Sequence, residues 1–167
     1  MNKAHTNPLP KFWRPALPAS VKLDAKLTHW DLVNRISTGG ATTEDLWDWI
    51  ETGFTYSKMM QLLAEDGSEF TPEAEAAIAE QIASYEGVIA RYRRTGRVGF
   101  SGPELLVARA AACVMDGLID MDRHGIAERA AYWSIEVLRR IRLNVYQGMK
   151  HDRHTRNHPH PRRHTLD

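Results

Sequence analysis

The amino-acid sequence predicts an all-α fold, a compact bundle of about six helices, three short and then three long. Three observations carry this. Helix-start signals recur along the chain, each a Thr or Ser followed three residues on by an acid, or by proline just inside the helix. Between them apolar residues repeat at three- and four-residue steps, and glycines stand where the repeats stop. No stretch sustains a period-two alternation, so strands are not expected.

The short helices come first. Thr28 with Asp31 has capping-box spacing and starts a helix to Ser37, ahead of Gly39-Gly40. Thr42 with Asp45 repeats the signal for a helix ending near Gly53. Thr55 caps a third, which carries Met59, Met60, Leu62 and Leu63 as far as Gly67.

The long helices follow. Thr71-Pro72 pairs a cap with proline at the first helical position, where its missing N–H costs nothing. That helix runs to about Thr95 with Ile78, Ile82, Tyr85, Ile89 and Tyr92 in register, and Gly96 closes it. Ser101-Gly-Pro-Glu104 is the strongest start signal in the chain, and puts Leu105, Ala108, Ala112, Met115 and Ile119 on one stripe ending before Gly125. The last helix carries Ile126, Ala130, Trp133, Val137, Ile141 and Val145, and stops near Gly148.

What lies outside these helices reads differently. Pro8, Pro10, Pro15 and Pro18 remove amide donors and disfavour helix before them, giving an extended arm over residues 1–26. Phe12 and Trp13 sit within it and pin the arm to its own domain, with partner binding as the alternative. The helical domain spans 27–148. Residues 149–167 lose the apolar period and hold five of the eight histidines, so this tail is expected to be disordered in isolation.

Composition excludes several classes. At 167 residues and 43% hydrophobic content the chain can bury a core of its own. The single cysteine, Cys113, cannot form an intramolecular disulfide and reads as a small buried hydrophobe, which suits a reducing compartment. No apolar run reaches the length of a signal peptide or of the ~18 residues of a membrane span, so a cytoplasmic protein without a membrane partner is expected.

A formal charge of +1 conceals segregation. Glu44 to Glu86 holds eleven acids against one base, Lys58, whereas Arg139 to Asp167 holds eight Lys/Arg against two acids. Two surfaces with different partners are implied. Asp45, Asp48, Glu51, Glu65 and Asp66, with Phe12 and Trp13, are the candidates for binding a partner protein.

Two basic segments are candidates for nucleic acid. Arg91, Tyr92, Arg93, Arg94 and Arg97 end a helix and enter a glycine-bearing loop, where guanidinium groups suit phosphates and Tyr92 could stack on a base. The competing reading has these cations stabilise the helix C-terminus and pair with nearby acids. Arg139, Arg140 and Arg142 lead into Lys150, Arg153, Arg156, Arg162 and Arg163, a basic run interleaved with histidines. A tail of this kind adds salt-dependent affinity for nucleic acid, or is merely solvated.

Asp116, Asp120, Asp122 and His124 resemble the way helical enzymes present carboxylates to a metal. However, no second carboxylate helix or Glu-x-x-His repeat supports them, and Arg109, Arg123 or Arg129 could neutralise them. No metal site, cofactor or catalytic constellation is expected. Thr43 to Glu65 can be drawn as helix–turn–helix about Gly53. Its second helix offers only Lys58 and Gln61 amid much negative charge, so Trp47, Trp49, Phe54 and Tyr56 read better as core or interface aromatics.

Two segments carry a resemblance. Gly39-Gly-Ala-Thr-Thr-Glu-Asp-Leu-Trp-Asp-Trp49 and the Tyr92-Arg-Arg-Thr-Gly-Arg-Val-Gly-Phe-Ser-Gly-Pro-Glu-Leu105 run are similar to small uncharacterised helical proteins of proteobacterial phages and plasmids. The likeness covers about residues 27–138 and implies a mobile-element setting, with no chemistry attached. The expectation is therefore a non-enzymatic interaction protein, an accessory factor that binds a host protein or nucleoprotein complex. Direct nucleic-acid binding through Arg91–Arg97 and the tail is one alternative. An acidic surface that competes with nucleic acid for a basic partner is another.

Overall fold

A computed structural model describes residues 15–156, with side chains described through Asn144. The described residues form five α-helices and no strand: α1 (Ala19–Thr38), α2 (Thr43–Glu65), α3 (Pro72–Thr95), α4 (Gly102–Asp120) and α5 (Ile126–Arg156). The all-α expectation stands, and the count is five rather than six.

The missing boundary is Gly53. Two short helices were expected to meet there, but the chain stays helical and α2 is continuous. Gly53 is buried, and a Cβ on it would overlap the Tyr85 hydroxyl and stand 2.8 Å from Gln81 Nε2. Its lack of a side chain admits α3 onto the α2 backbone instead of ending the helix. Thr55, the expected cap, instead shares a 2.6 Å hydrogen bond with Ser134 of α5. A continuous α2 also removes the helix–turn–helix.

The first helix starts earlier than its capping-box spacing suggested. Pro18 is the N-cap of α1, and Thr28 lies inside the helix with its hydroxyl donating to the Asp24 carbonyl at 2.8 Å. The Gly39 αL cap closes it as expected. Thr42 and Asp45 form a reciprocal capping box at α2, and the Thr71 hydroxyl accepts from the Ala74 amide with Pro72 just inside α3. At α4 the Ser101 amide donates to Glu104 at 2.6 Å. At the other extreme, α5 continues past Gly148 to Arg156, into the segment expected to be disordered.

Helix α2 is the centre of the bundle and contacts all four others, while α1 and α5 flank it with little contact between them. One core cluster gathers Met59, Leu63, Ile78, Met115, Ile119 and Ile126. A second gathers Ile36, Trp47, Trp49, Val88, Ala108 and Leu138. Truncating a fully buried residue such as Met59 should cost about 2–5 kcal/mol.

Two side chains depart from the expected pattern. The α5 stripe is rotated: Ala130, Ser134 and Leu138 are buried, while Trp133 is 41% exposed beneath the Lys58 ammonium. The small Ala130 and Ser134 let α5 approach α2 closely, and the indole is turned outward. Cys113, expected to be buried, is exposed. It lies off the packed α4 stripe of Ala108, Ala111, Ala112 and Met115.

Candidate functional site: a cleft between α1 and α5

Because α1 and α5 stand apart over α2, a cleft of about 530 Å³ opens between them. Its apolar end is built by Leu17, Ala25, Tyr56, Met59, Ile119 and Ala127. Its polar end presents Arg35 from α1 with Asp48, Glu51 and Thr52 from α2, while Glu128 of α5 follows Ala127 at the apolar end. The two ends follow from the sequence of α2, whose first turns carry acids and whose later turns carry Tyr56 and Met59 on the same side.

The Asp48 and Glu51 carboxylates have no hydrogen-bond or ion-pair partner among the described residues. Asp48 is exposed and Glu51 half-buried; partial burial, then the neighbouring Glu44, raises the Asp48 carboxyl above its ordinary range, partly offset by Arg142. Burial, then Asp48, likewise raises Glu51. Arg35 does not answer them, because it is bound to Asp31 at 3.0 Å and to Asp45 at 2.6 Å. The polar end is thus a pair of like charges held near an apolar wall, a disposition that favours an incoming cation.

The cleft wall also holds His29, which is 2% exposed. Its Nε2 lies 3.0 Å from Asp116 Oδ1, Trp30 Nε1 donates to the other Asp116 oxygen at 3.0 Å, and Tyr56 packs edge-on against the imidazole. Burial holds the imidazole below its usual pKa against the pull of Asp116. Sequence reading overlooked His29. Its signal was its place on the α1 stripe with Leu32, Val33 and Ile36.

The structure occupies the carboxylates once compared with a metal site. Asp120 accepts from Lys26 at 2.7 Å, and Asp122 accepts from the Leu17 and Ala127 amides at 2.7 and 2.8 Å. With Asp116 bound to His29 and Trp30 of α1, the partners of these acids are α1 side chains and the Leu17 and Ala127 amides rather than Arg109, Arg123 or Arg129. Arg123 instead binds Asp66 at 2.8 Å. Among the described residues no group of three or more His, Cys, Asp or Glu could hold a metal ion, and no helix is long and apolar enough to cross a membrane.

The remaining acidic candidates separate. Asp45 is buried and held below the ordinary carboxylate range, first by the Thr42 amide and then by the Thr42 hydroxyl and Arg35, which outweigh its desolvation. Glu65 is exposed and accepts from Gln61. Of the acidic candidates, Asp48 and Glu51 are therefore the two that line the cleft, which also holds Glu128 of α5.

The basic candidates separate as well. Arg91 forks onto Glu104 at 2.7 and 2.9 Å and donates to the Gly99 carbonyl at 2.8 Å. Burial alone would raise the Glu104 carboxyl, but Arg91 and Ser101 outweigh it and hold it low. Tyr92 shares a 3.1 Å hydrogen bond with Thr43, and Arg142 binds Glu44 at 2.8 Å over the Trp47 ring. These contacts bring the end of α3 and the middle of α5 to one end of the bundle. Arg93, Arg94, Arg97, Arg139 and Arg140 stay exposed, with no acidic partner among the described residues. Lys150, Arg153 and Arg156 lie on the continuation of α5. Phe12, Trp13, Arg162 and Arg163 lie outside the described residues.

Comparison with protein families, with characterised proteins and with solved structures finds no match.

Proposed function

We propose that this protein is a non-enzymatic interaction module whose α1–α2–α5 cleft grips a basic, apolar-containing segment of a partner protein. The observation that carries this reading is a pair of carboxylates, Asp48 and Glu51, that have no ion-pair partner among the described residues and stand beside an apolar wall. An apolar side chain would fill the Tyr56–Met59 end, and a Lys or Arg three or four residues away would reach the carboxylates. A mobile-element accessory factor that binds a host protein is the setting in which such a module belongs, on the resemblance of its Gly39–Trp49 and Tyr92–Leu105 segments.

The test is selection from a random peptide library, run on the whole chain and on its Phe12→Ala/Trp13→Ala variant. Enrichment of peptides that combine Lys or Arg with aromatic or aliphatic residues is expected. The affinity of an enriched peptide should fall at least about tenfold in Asp48→Asn/Glu51→Gln. Enrichment indifferent to that double substitution, or no enrichment in either chain, would remove the proposal.

A second reading, nucleic-acid binding, is favoured by one specific placement: the exposed Arg93, Arg94 and Arg97 share a bundle end with Arg139 and Arg140. It requires affinity for single- or double-stranded DNA or RNA that falls steeply with salt. Replacing Arg93, Arg94 and Arg97 together should flatten that slope by about three. No binding at low salt would dispose of it.

A further inference from the structure

Helix α5 packs on the core through Ala130, Ser134 and Leu138, and its opposite side carries a second apolar stripe. Tyr132, Ile135 and Leu143 are 67%, 48% and 56% exposed. With the exposed Arg139 they stand three and four residues apart, within an arc of about 80° at 3.6 residues per turn. The outer side of a bundle helix is normally polar, whereas this spacing is that of a helix–helix seam.

Charge indicates what covers the stripe. Along this side the exposed acids, Glu128 and Glu136, come before the exposed bases, Arg139 and Arg140. A helix face ordered in that way complements a copy of itself running in the opposite direction.

We propose that α5 pairs antiparallel with α5 of a second copy of this chain, about a twofold axis between Val137 and Leu138.

The register meets two requirements at once. About that centre Tyr132 faces Leu143 of the second copy and Glu136 faces its Arg139, each pair occurring twice by symmetry. The stem of Arg140 then covers Ile135. Sliding the second copy by one turn sets Arg139 against Arg140 in one direction, and Glu136 against Ile135 in the other. A parallel pair would stack Arg139 on Arg139.

In this register residues 126–149 of the two helices overlap, roughly 36 Å at 1.5 Å per residue. A seam of that length buries on the order of 1,000 Å², the lower bound for a specific interface. With an arginine inside the stripe, a dimer that dissociates at about 10 μM is expected. The inference does not depend on the cleft reading. A dimer carries two clefts, so a ligand with two basic segments would gain avidity.

Sedimentation equilibrium of the full chain between about 1 and 200 μM tests the proposal. Glu136→Arg and Arg139→Glu should each weaken self-association at least about tenfold. An equimolar mixture of these two variants should restore it, because each copy then offers the charge that the other lacks. Tyr132→Ser/Leu143→Ser, which removes apolar area and adds no charge, should be monomeric with the parent's helical circular dichroism. Orientation is read in a Cys113→Ser background, where Tyr132→Cys should form a disulfide with Leu143→Cys when the two are mixed and oxidised with diamide. Neither should cross-link to itself. A monomer at every concentration overturns the proposal, as does a mixture no stronger than its components. A dimer indifferent to both charge reversals places the contact on another face, and self-cross-linking of Tyr132→Cys makes the pair parallel; either outcome also overturns it.

Discussion

The Tyr85 hydroxyl occupies the space in which any side chain on Gly53 would begin. A central helix and a long amphipathic one are keyed together there by a missing Cβ. Tyr85 also packs edge-to-face on Trp49, with ring centroids 4.8 Å apart, and its hydroxyl accepts from Gln81 at 3.0 Å.

Gly53→Ala is accordingly expected to destabilise the protein by about 2 kcal/mol, since overpacking outweighs the gain in helix propensity of roughly 1 kcal/mol. In a Tyr85→Phe background the same change should cost less, because the hydroxyl is gone. Urea unfolding of the four proteins in a double-mutant cycle reads the coupling. Gly53→Ala that raises stability would mean that α3 does not approach α2 here.

Glu104 serves both the α4 cap and the Arg91 fork. Glu104→Gln keeps a capping acceptor and weakens the ion pair, so a loss of about 1 kcal/mol is expected. Glu104→Ala, which removes both, should lose about 2 kcal/mol. Arg91→Lys should not rescue the fork, because an ammonium cannot match two carboxylate oxygens. Chemical denaturation midpoints are sufficient to rank the three.

The His29 imidazole is held below its ordinary pKa of about 6.5 by burial. The unfolded chain takes up a proton near that pH while the folded one resists. Stability from this group is therefore complete above about 6.5 and declines as pH falls below it. Unfolding free energies at pH 7.5, 6.5 and 5.5 should show the decline, and His29→Gln should flatten it even though the variant is less stable throughout.

Asp48 and Glu51 titrate with the opposite sign. Their raised values mean that the folded state holds protons more tightly, so their charges weaken the fold as pH rises through the carboxylate range. At pH 7, Glu51→Gln should stabilise by about 0.5 kcal/mol while reducing affinity for a basic peptide. A variant that loses both stability and affinity would place Glu51 among structural groups.

Much of this architecture was readable because helix punctuation is local chemistry. Thr42 with Asp45, Thr71-Pro72 and Ser101 with Glu104 cap the helices they announced. Gly53 was misread because a glycine that stops a helix and one that admits a neighbour look identical until Tyr85 arrives from α3. Thr28 was misread because a threonine can close its hydrogen bond inside a helix as well as at its start.

At the site, Asp48 and Glu51 were legible as acids, but their isolation was not. It depends on Asp31 and Asp45 taking Arg35 and on Glu44 taking Arg142, the two cations nearest the pair. The pairing of Arg91 with Glu104, thirteen residues on, likewise turned a candidate phosphate ligand into a brace.

At 31 residues, α5 is about 46 Å long and runs about 21 Å beyond Arg142. Mechanically that length of helix is a lever arm, and the Arg142 contact with Glu44 and Trp47 joins it to α2. A load taken up near Arg156 would turn α5 about that point and bear on the first turns of α2, where the cleft's carboxylates stand. Pulling along the helix would instead shear α5 past α2, with the Thr55–Ser134 hydrogen bond among the first to resist. The same helix therefore offers a stiff direction and a compliant one to whatever holds its end.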